Sequence, residues 1–275
     1  MKLFTQPLII GSTGKTGSRV MHLLEKQGYQ PKGAARSGDV YFDWNEPATW
    51  AKALKDIDSV YLTYYPDLAI EKAPDDIARF CALAKMRGVK HITLLSGRGE
   101  PAAQVCENIV KGSGLSWTIV RAAWFNQNFS EGLFKQFILS GHIALPVDET
   151  PEPFVDIDDI AEVVVASLTC SEHNGKLYEV TGPERLSFRQ LAAQFSTELN
   201  RPITFEQIPL SDFQTQLKAV NVDAGAIEAL TYLFTEVLDG RNDYLTNGVQ
   251  QALGREPKRF AQYISDNKAF FGEVS

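Results

Sequence analysis

Residues 7–20 read PLIIGSTGKTGSRV, an apolar run that breaks into three evenly spaced glycines before a helical pattern begins. Two phosphate-binding loops compete for this stretch. Gly14-Lys15-Thr16 matches the end of a nucleotide triphosphatase loop, G-x-x-x-x-G-K-[ST], whose leading glycine lets the backbone wrap the phosphates. Five residues before Gly14 stands Ile9, inside the apolar run. The wrap has nowhere to start, and the match is a coincidence. The alternative is a glycine turn beneath a dinucleotide, in which a strand ends, the chain turns tightly and a pyrophosphate approaches a helix N-terminus. Gly11, Gly14 and Gly17 give G-x-x-G-x-x-G, one residue longer in the first interval than the G-x-G-x-x-G form. A glycine triplet alone also describes a plain strand–helix turn, so its surroundings decide.

Those surroundings alternate. β-rich runs occur at Leu8 to Gly11, Lys32 to Arg36, Val40 to Phe42, Ser59 to Thr63, His91 to Leu95 and Trp117 to Arg121. Helical patterns lie between them at Thr16 to Gln27, Pro47 to Leu54, Asp75 to Arg87 and Ala102 to Lys111. Strand and helix in this rhythm imply βαβ units, and with the glycine turn a Rossmann-type, doubly wound parallel sheet of the α/β class. Gly28, Gly88 and Gly112 stand where helices should end. Beyond Arg121 the pattern loosens. Asp156 to Asp159 opens a helix, Lys176 to Thr181 reads as a strand, and Ser187 with Gln190 forms a capping box. The last helical stretch is Pro257 to Phe271. The expectation is a nucleotide-binding Rossmann domain over 1–150 and a smaller, helix-rich substrate or partner lobe over 151–275, with some later strands rejoining the sheet.

The 275 residues carry 27 basic and 34 acidic side chains, net −7, with 44% hydrophobic and 22% charged residues. This is an ordinary globular composition, and it argues against a direct nucleic-acid surface, which needs a basic patch. No apolar run approaches the ~18 residues of a membrane span. Met1 to Pro7 contains no apolar core of signal-peptide length. Cys81, Cys106 and Cys170 are few and far apart, which suggests reduced thiols and a cytoplasmic setting.

Arg36 ends the second β-rich run, 22 residues after Gly14. An acidic residue here would bind the 2′-hydroxyl of NAD, whereas arginine accommodates the 2′-phosphate of NADP. The nearest carboxylate, Asp39, comes three residues later. The residues therefore favour NADP(H), held by Gly11, Gly14, Gly17 and Arg36, with Thr13, Lys15 and Thr16 in the same turn.

A catalytic set is harder to find. Short-chain dehydrogenases with this glycine spacing use Tyr-x-x-x-Lys to pass a proton to the reduced carbonyl oxygen. None of the nine tyrosines here has a lysine four residues on. There is no G-x-S-x-G, C-x-x-C or H-E-x-x-H, and the four histidines are scattered, so no metal site is indicated. Ligands of open parallel sheets bind beyond the carboxyl ends of the strands. That rule points to Thr63-Tyr64-Tyr65, to Ser96 to Arg98, and to Ala122 to Phe129. Trp124, Phe125 and Phe129 suit either a pocket wall for a planar substrate or packing beneath a crossover. Arg98 and Glu100 suit either a substrate pocket or a solvated pair.

Seven stretches together resemble the NmrA-like branch of atypical short-chain dehydrogenases, and within it the festuclavine and agroclavine dehydrogenase group. They are GSTGKTGSRV (11–20), FDWNEPATW (42–50), RGVKHITLLSG (87–97), GLSWTIVRAAWFNQNFSE (114–131), PFVDIDDIAEVV (153–164), YEVTGPERLSFRQLA (178–192) and GREPKRF (254–260). The resemblance places Asp43 and Trp44 by the adenine, and Thr63 and Tyr64 by the adenosine or pyrophosphate. It places Ser96 by the nicotinamide ribose, and Trp124, Phe125 and Asn126 near the nicotinamide and substrate. The chain departs from the family at Ala122-Ala123, where proline often follows the arginine, and it lacks the lysine of isoflavone-reductase-like relatives. Hydride addition to an iminium yields an amine without an acid. A quinone or enone wants a donor, for which Tyr64 and Tyr65 are the candidates. Two readings follow: an NADPH-dependent reductase of a small aromatic electrophile, or an NADP(H)-sensing regulator with a protein partner.

Overall fold

The apolar run of the opening stretch is a strand buried at all four positions. The computed structural model describes residues 5–147 and 149–272; residues 1–4 of the leader reading lie outside them. In chain order the first elements are β1 (Pro7–Ile10), α1 (Lys15–Lys26), β2 (Lys32–Ala35), β3 (Val40–Tyr41), α2 (Trp50–Ala53) and β4 (Ser59–Leu62). Then come α3 (Ala73–Met86), β5 (His91–Gly97), α4 (Pro101–Gly112), β6 (Ser116–Ala122), α5 (Lys135–Ser140) and β7 (His142–Leu145). They are followed by α6 (Ile157–Thr169), β8 (Lys176–Val180), α7 (Phe188–Glu198), β9 (Thr204–Gln207) and α8 (Leu210–Ala219). The chain continues through α9 (Ala224–Tyr232), α10 (Gly248–Leu253) and α11 (Phe260–Asp266).

Internal contacts divide the chain into two compact units. One comprises Met1–Ala122, Ile157–Val180 and Asn247–Glu256; the other comprises Ala123–Asp156, Thr181–Thr246 and Pro257–Ser275. The division is interleaved, unlike a single cut near residue 150. Its cause lies in the sheet, where β8 pairs in parallel with β6, from Thr118 opposite Lys176 to Ala122 opposite Val180.

The first unit is built on a seven-stranded sheet in the order β3-β2-β1-β4-β5-β6-β8, parallel at every pairing. This is the doubly wound Rossmann-type arrangement. An aromatic cluster of Phe42, Trp44, Trp50, Tyr64 and Phe80 packs in its core. The second unit is mainly helical around its own core, in which Phe129, Phe188, Phe195 and Phe260 are fully buried. The capping box expected at Ser187 is present: its Oγ accepts from the Gln190 amide, and its own amide donates to Gln190 Oε1.

Two strands had no signature in the sequence. β7 and β9 form a parallel pair from His142 opposite Thr204 to Leu145 opposite Gln207. Four-residue strands some sixty residues apart leave neither a hairpin turn nor an alternation long enough to read. The terminal helix is also shorter than expected, because Phe260–Asp266 is followed by a separate 3-10 turn at Lys268–Phe271.

The contact between β1 and α1 is set by glycine. Gly11 is left-handed (φ +73°), and a Cβ there would stand 2.6 Å from Thr63 Oγ1. A Cβ on Gly17 would overlap the backbone carbonyl of Gly11. Alanine is the better helix former by about 1 kcal/mol, yet Gly17→Ala is expected to lose about 1–3 kcal/mol or more through overpacking. Thermal unfolding of the two proteins checks this; a variant as stable as the parent would contradict the contact.

Candidate functional site

In the order β3-β2-β1-β4, successive connections leave β1 in opposite directions, and ligands of such sheets bind at that reversal, beyond the carboxyl ends of the strands. The turn after β1 closes with the Gly14 amide on the Gly11 carbonyl at 2.9 Å, while the Gly11 amide reaches Ala34 of β2 at 2.8 Å. Gly14 caps α1 without a side-chain hydrogen bond, and no acidic residue stands in the first helical turn. Lys15 opens the helix. A helix N-terminus whose glycine cap makes no side-chain hydrogen bond, approached by further glycines, fits a pyrophosphate.

Around this turn the structure assembles several of the expected residues. Thr63 donates through Oγ1 to the Ile10 carbonyl at 2.9 Å, and its own carbonyl accepts Trp44 Nε1 at 3.1 Å. Ser37 Oγ lies 3.5 Å from Thr13 Oγ1, which joins the loop after β2 to the glycine turn. The Arg36 guanidinium lies over the Tyr65 ring at 4.6 Å.

Other expected residues are held inside the fold. Thr16 Oγ1 accepts the buried Tyr61 hydroxyl at 2.9 Å. Trp44 is buried, with its ring 4.7 Å from that of Tyr64. Asp43 is a local anchor: its carboxylate accepts the Asn45 amide, and its carbonyl accepts Trp50 Nε1. Tyr64 is only 8% exposed and donates to Asp76 Oδ2 at 2.7 Å. Burial first, then the Asp76 carboxylate, pushes its phenol far above the ordinary range. Its proton is committed to Asp76, which removes it as a ready donor.

Ser96 and Arg98 enter a network that the sequence did not reveal. Ser96 stands opposite Arg121 in the ladder, and Arg121 opposite Glu179. Ser96 Oγ donates to Glu107 Oε1 at 2.8 Å, and Arg121 grips the same carboxylate at 2.9 and 2.7 Å. Arg98 is buried and meets Glu179 at 2.6 Å, so it is no partner of a solvated pair with Glu100. Glu100 is buried as well, and burial with the neighbouring Asp67 carboxylate pushes it up to about 8. No sequence spacing announces such long-range pairs, although a charge at a strand position flanked by apolar residues, as at Arg121, is a usable signal.

In the second unit Trp124 packs among Phe134, Phe154, Phe188 and Phe234, at centroid distances of 5.5–6.4 Å. Phe125 bridges to Val155, and the Asn126 amide donates to the Val155 carbonyl at 2.9 Å. Phe129 lies fully in the core, as its packing alternative required. Asn126 is 0% exposed, and neither Nδ2 nor Oδ1 of its side chain has a hydrogen-bond partner among the described residues. An amide in that state costs about 1–3 kcal/mol.

Among the described residues, no group of three or more His, Cys, Asp or Glu side chains is placed to hold a metal ion. No described helix is long and apolar enough to cross a membrane. All three cysteines are free thiols.

A doubly wound sheet with an uncapped glycine turn at its reversal defines the class of nucleotide-binding proteins to which comparison can be made. The NmrA-like family model matches residues 103–266, and the chain belongs to that family. Curated relatives at 28% identity include the Prestalk A differentiation protein A of Dictyostelium discoideum (94% of this chain, 91% of that protein) and an NAD(P)H azoreductase of Xenophilus azovorans (96% and 99%). The agroclavine dehydrogenase of Claviceps fusiformis is also 28% identical (95% and 96%). Among solved structures, an NADPH-dependent quinone oxidoreductase of Escherichia coli complexed with NADPH superposes with a TM-score of 0.80 at 19% identity, covering 94% of this chain and 99% of that one. A Citrobacter triphenylmethane reductase complexed with NADP(H) gives 0.77 at 17% identity, covering 95% and 99%. At such identities the superpositions establish the fold.

The charge network has a pH signature. Burial pushes Glu107 up, but the hydrogen bonds from Arg121 and Ser96, with the charges of Arg121 and Lys111, outweigh it and hold the carboxyl below its usual range. Its contribution to stability is therefore complete above the ordinary carboxylate range and is lost as pH falls through the folded value. Glu107→Gln should cost about 3–5 kcal/mol at neutral pH. In urea unfolding, the gap from wild type should narrow as the pH drops below about 4. A gap constant with pH would contradict the assignment.

Proposed function

We propose that this protein is an NADPH-dependent reductase that transfers hydride to a small aromatic electrophile, an iminium, quinone or enone. The observation that carries the reading is the glycine cradle at the sheet reversal, with an arginine in place of an acidic residue at the end of β2. In this reading the first unit binds the cofactor. Gly11, Thr13, Gly14, Lys15 and Gly17 surround the pyrophosphate, and Arg36 takes the 2′-phosphate. Thr16, Asp43, Trp44, Thr63, Tyr64 and Ser96 shape the surrounding wall from inside the fold. Bound NADPH would supply the hydride.

The chain's own residues then position the acceptor. Trp124 and Phe125 present aromatic surface to a planar substrate, and Arg98 fixes the adjoining backbone through Glu179. An iminium needs no proton at the reduced carbon. For a quinone or enone, the proton sources are solvent and the exposed Tyr65 hydroxyl. The NAD(P)H azoreductase and agroclavine dehydrogenase relatives support this substrate class.

A second reading has its own support. The Tyr64 and Ser96 hydroxyls both donate within the fold, and one relative is named for differentiation rather than for a reaction. A regulator that senses NADP(H) and passes its state to a protein partner needs binding without turnover. Incubating the protein with NADPH and a panel of quinones, enones and cyclic iminiums separates the two. Consumption of NADPH with any member supports the reductase; tight binding with no turnover across the panel supports the regulator.

Two variants bear on the site. Arg36→Glu should reverse the preference for NADPH over NADH by roughly tenfold or more, since a charge-assisted phosphate contact is worth about 1.5–3 kcal/mol. Equal affinities of the parent for both cofactors would overturn the NADP(H) assignment. Asn126→Leu removes the unpaired amide, and its expected signature is opposed: a melting temperature raised by a few degrees together with a raised KM for the substrate. A lowered melting temperature would show that the amide is satisfied in the ligand-free fold.

A further inference from the structure

Tyr65 is the most exposed aromatic side chain among the described residues. It is 62% exposed, directly after β4, beside the buried Tyr64. The Arg36 guanidinium lies over its ring, 4.6 Å from the centroid. β2 and β4 flank β1 on opposite sides, so a side chain following β2 meets one following β4 across the carboxyl end of β1, where the glycine turn begins. Neutral packing cannot hold a solvated arginine there, but a ring face can.

The geometry of that contact matters more than its strength. A guanidinium presents its N–H donors in its plane, as a fork that matches carboxylate or phosphate oxygens. Arg36 has acidic neighbours in sequence at Asp39 and Asp43. Among the described residues, however, no carboxylate lies within ion-pair distance of it, and Asp43 is engaged with the Asn45 amide. A carboxylate partner would fill the fork and would have to be displaced by any incoming anion. A ring face engages the cation through its quadrupole and leaves the in-plane donors available.

We infer that Tyr65 is a positioning residue for cofactor selection: its ring holds the Arg36 guanidinium across the end of β1, with the donor edge open to the 2′-phosphate of an adenosine. The inference rests on the NADP(H) reading above. It divides the specificity determinant between two loops, the one after β2 that supplies the charge and the one after β4 that orients it. In this role the ring matters and the hydroxyl does not, which separates it from any proton donation by the same side chain.

The test uses the adenosine end alone. Dissociation constants for 2′,5′-ADP and 5′-ADP are measured by calorimetry on the whole chain, for the parent, Arg36→Ala, Tyr65→Ala, Tyr65→Leu and Tyr65→Phe. The parent should favour 2′,5′-ADP, and Arg36→Ala should lose that preference. Tyr65→Ala and Tyr65→Leu should weaken 2′,5′-ADP by roughly two- to fivefold, the range of an exposed cation–π contact, and leave 5′-ADP unchanged. Tyr65→Phe should bind both nucleotides as the parent does. Because the side chain is exposed, the leucine variant retains bulk without a π-face and controls for local collapse. If Arg36→Ala abolishes the preference while Tyr65→Ala retains it, the inference fails and the cofactor reading stands. Equal loss of both ligands in Tyr65→Ala would also overturn it, as would loss of preference in Tyr65→Phe. A parent without any preference overturns the cofactor reading and the inference together.

Discussion

The closeness of α1 to β1 is the constraint from which the rest of the first unit follows. A helix can start with only four residues between it and the preceding strand if its first turn passes over the carbonyl just behind it, and at Gly17 there is no room for a single additional carbon. Gly11 absorbs the reversal with a left-handed backbone that a side chain would resist. The helix is thus aimed so that its N-terminal end faces the reversal of the sheet. Gly14 caps that end without a side-chain hydrogen bond. Binding capacity here is a by-product of tight packing: the steric rule that fixes the fold also presents the helix dipole to an anion.

The same economy appears in the polar residues. Ser96, Arg98, Glu107, Arg121 and Glu179 make a chain of alternating charges and a hydroxyl across three adjacent strands and one helix, almost entirely within the protein. Such a chain holds the carboxyl ends of β5, β6 and β8 in register, and each buried charge is matched by its neighbour. What it removes is chemical availability, because a serine that donates to a carboxylate is a poor participant in proton transfer. The second unit shows the opposite case in Asn126, an amide withdrawn from water and given nothing in exchange. Groups left in that condition are where a ligand gains most from arriving.

The sequence made the first unit legible because its signals are local. The glycine triplet, the alternation of short strands with amphipathic helices, and Ser187 three residues before Gln190 each concern neighbours along the chain, and each is realised. The short β7 and β9 escaped because a parallel pair of four residues depends on a partner sixty positions away. The site was read unevenly for the same reason. Gly11, Gly14, Gly17 and Arg36 follow from position within a βαβ unit. The burial of Trp44, the bond from Tyr64 to Asp76, and the pairing of Arg98 with Glu179 depend on what folds against them, and a residue type carries no mark of that. Resemblance supplied the neighbourhood of these residues; the structure shows which atoms are already engaged.

The interleaved division of the chain has a consequence for its biosynthesis. β6 is complete at residue 122, yet its partner β8 lies more than fifty residues further on, and α10 joins the same unit only at Gly248. A ribosome therefore releases most of the sheet with one edge unpaired while residues of the other unit are still being made. Long-range parallel pairing is slow, and an open strand edge invites association with other chains. For this architecture the hazard lies late in synthesis, at the exposed flank of β6.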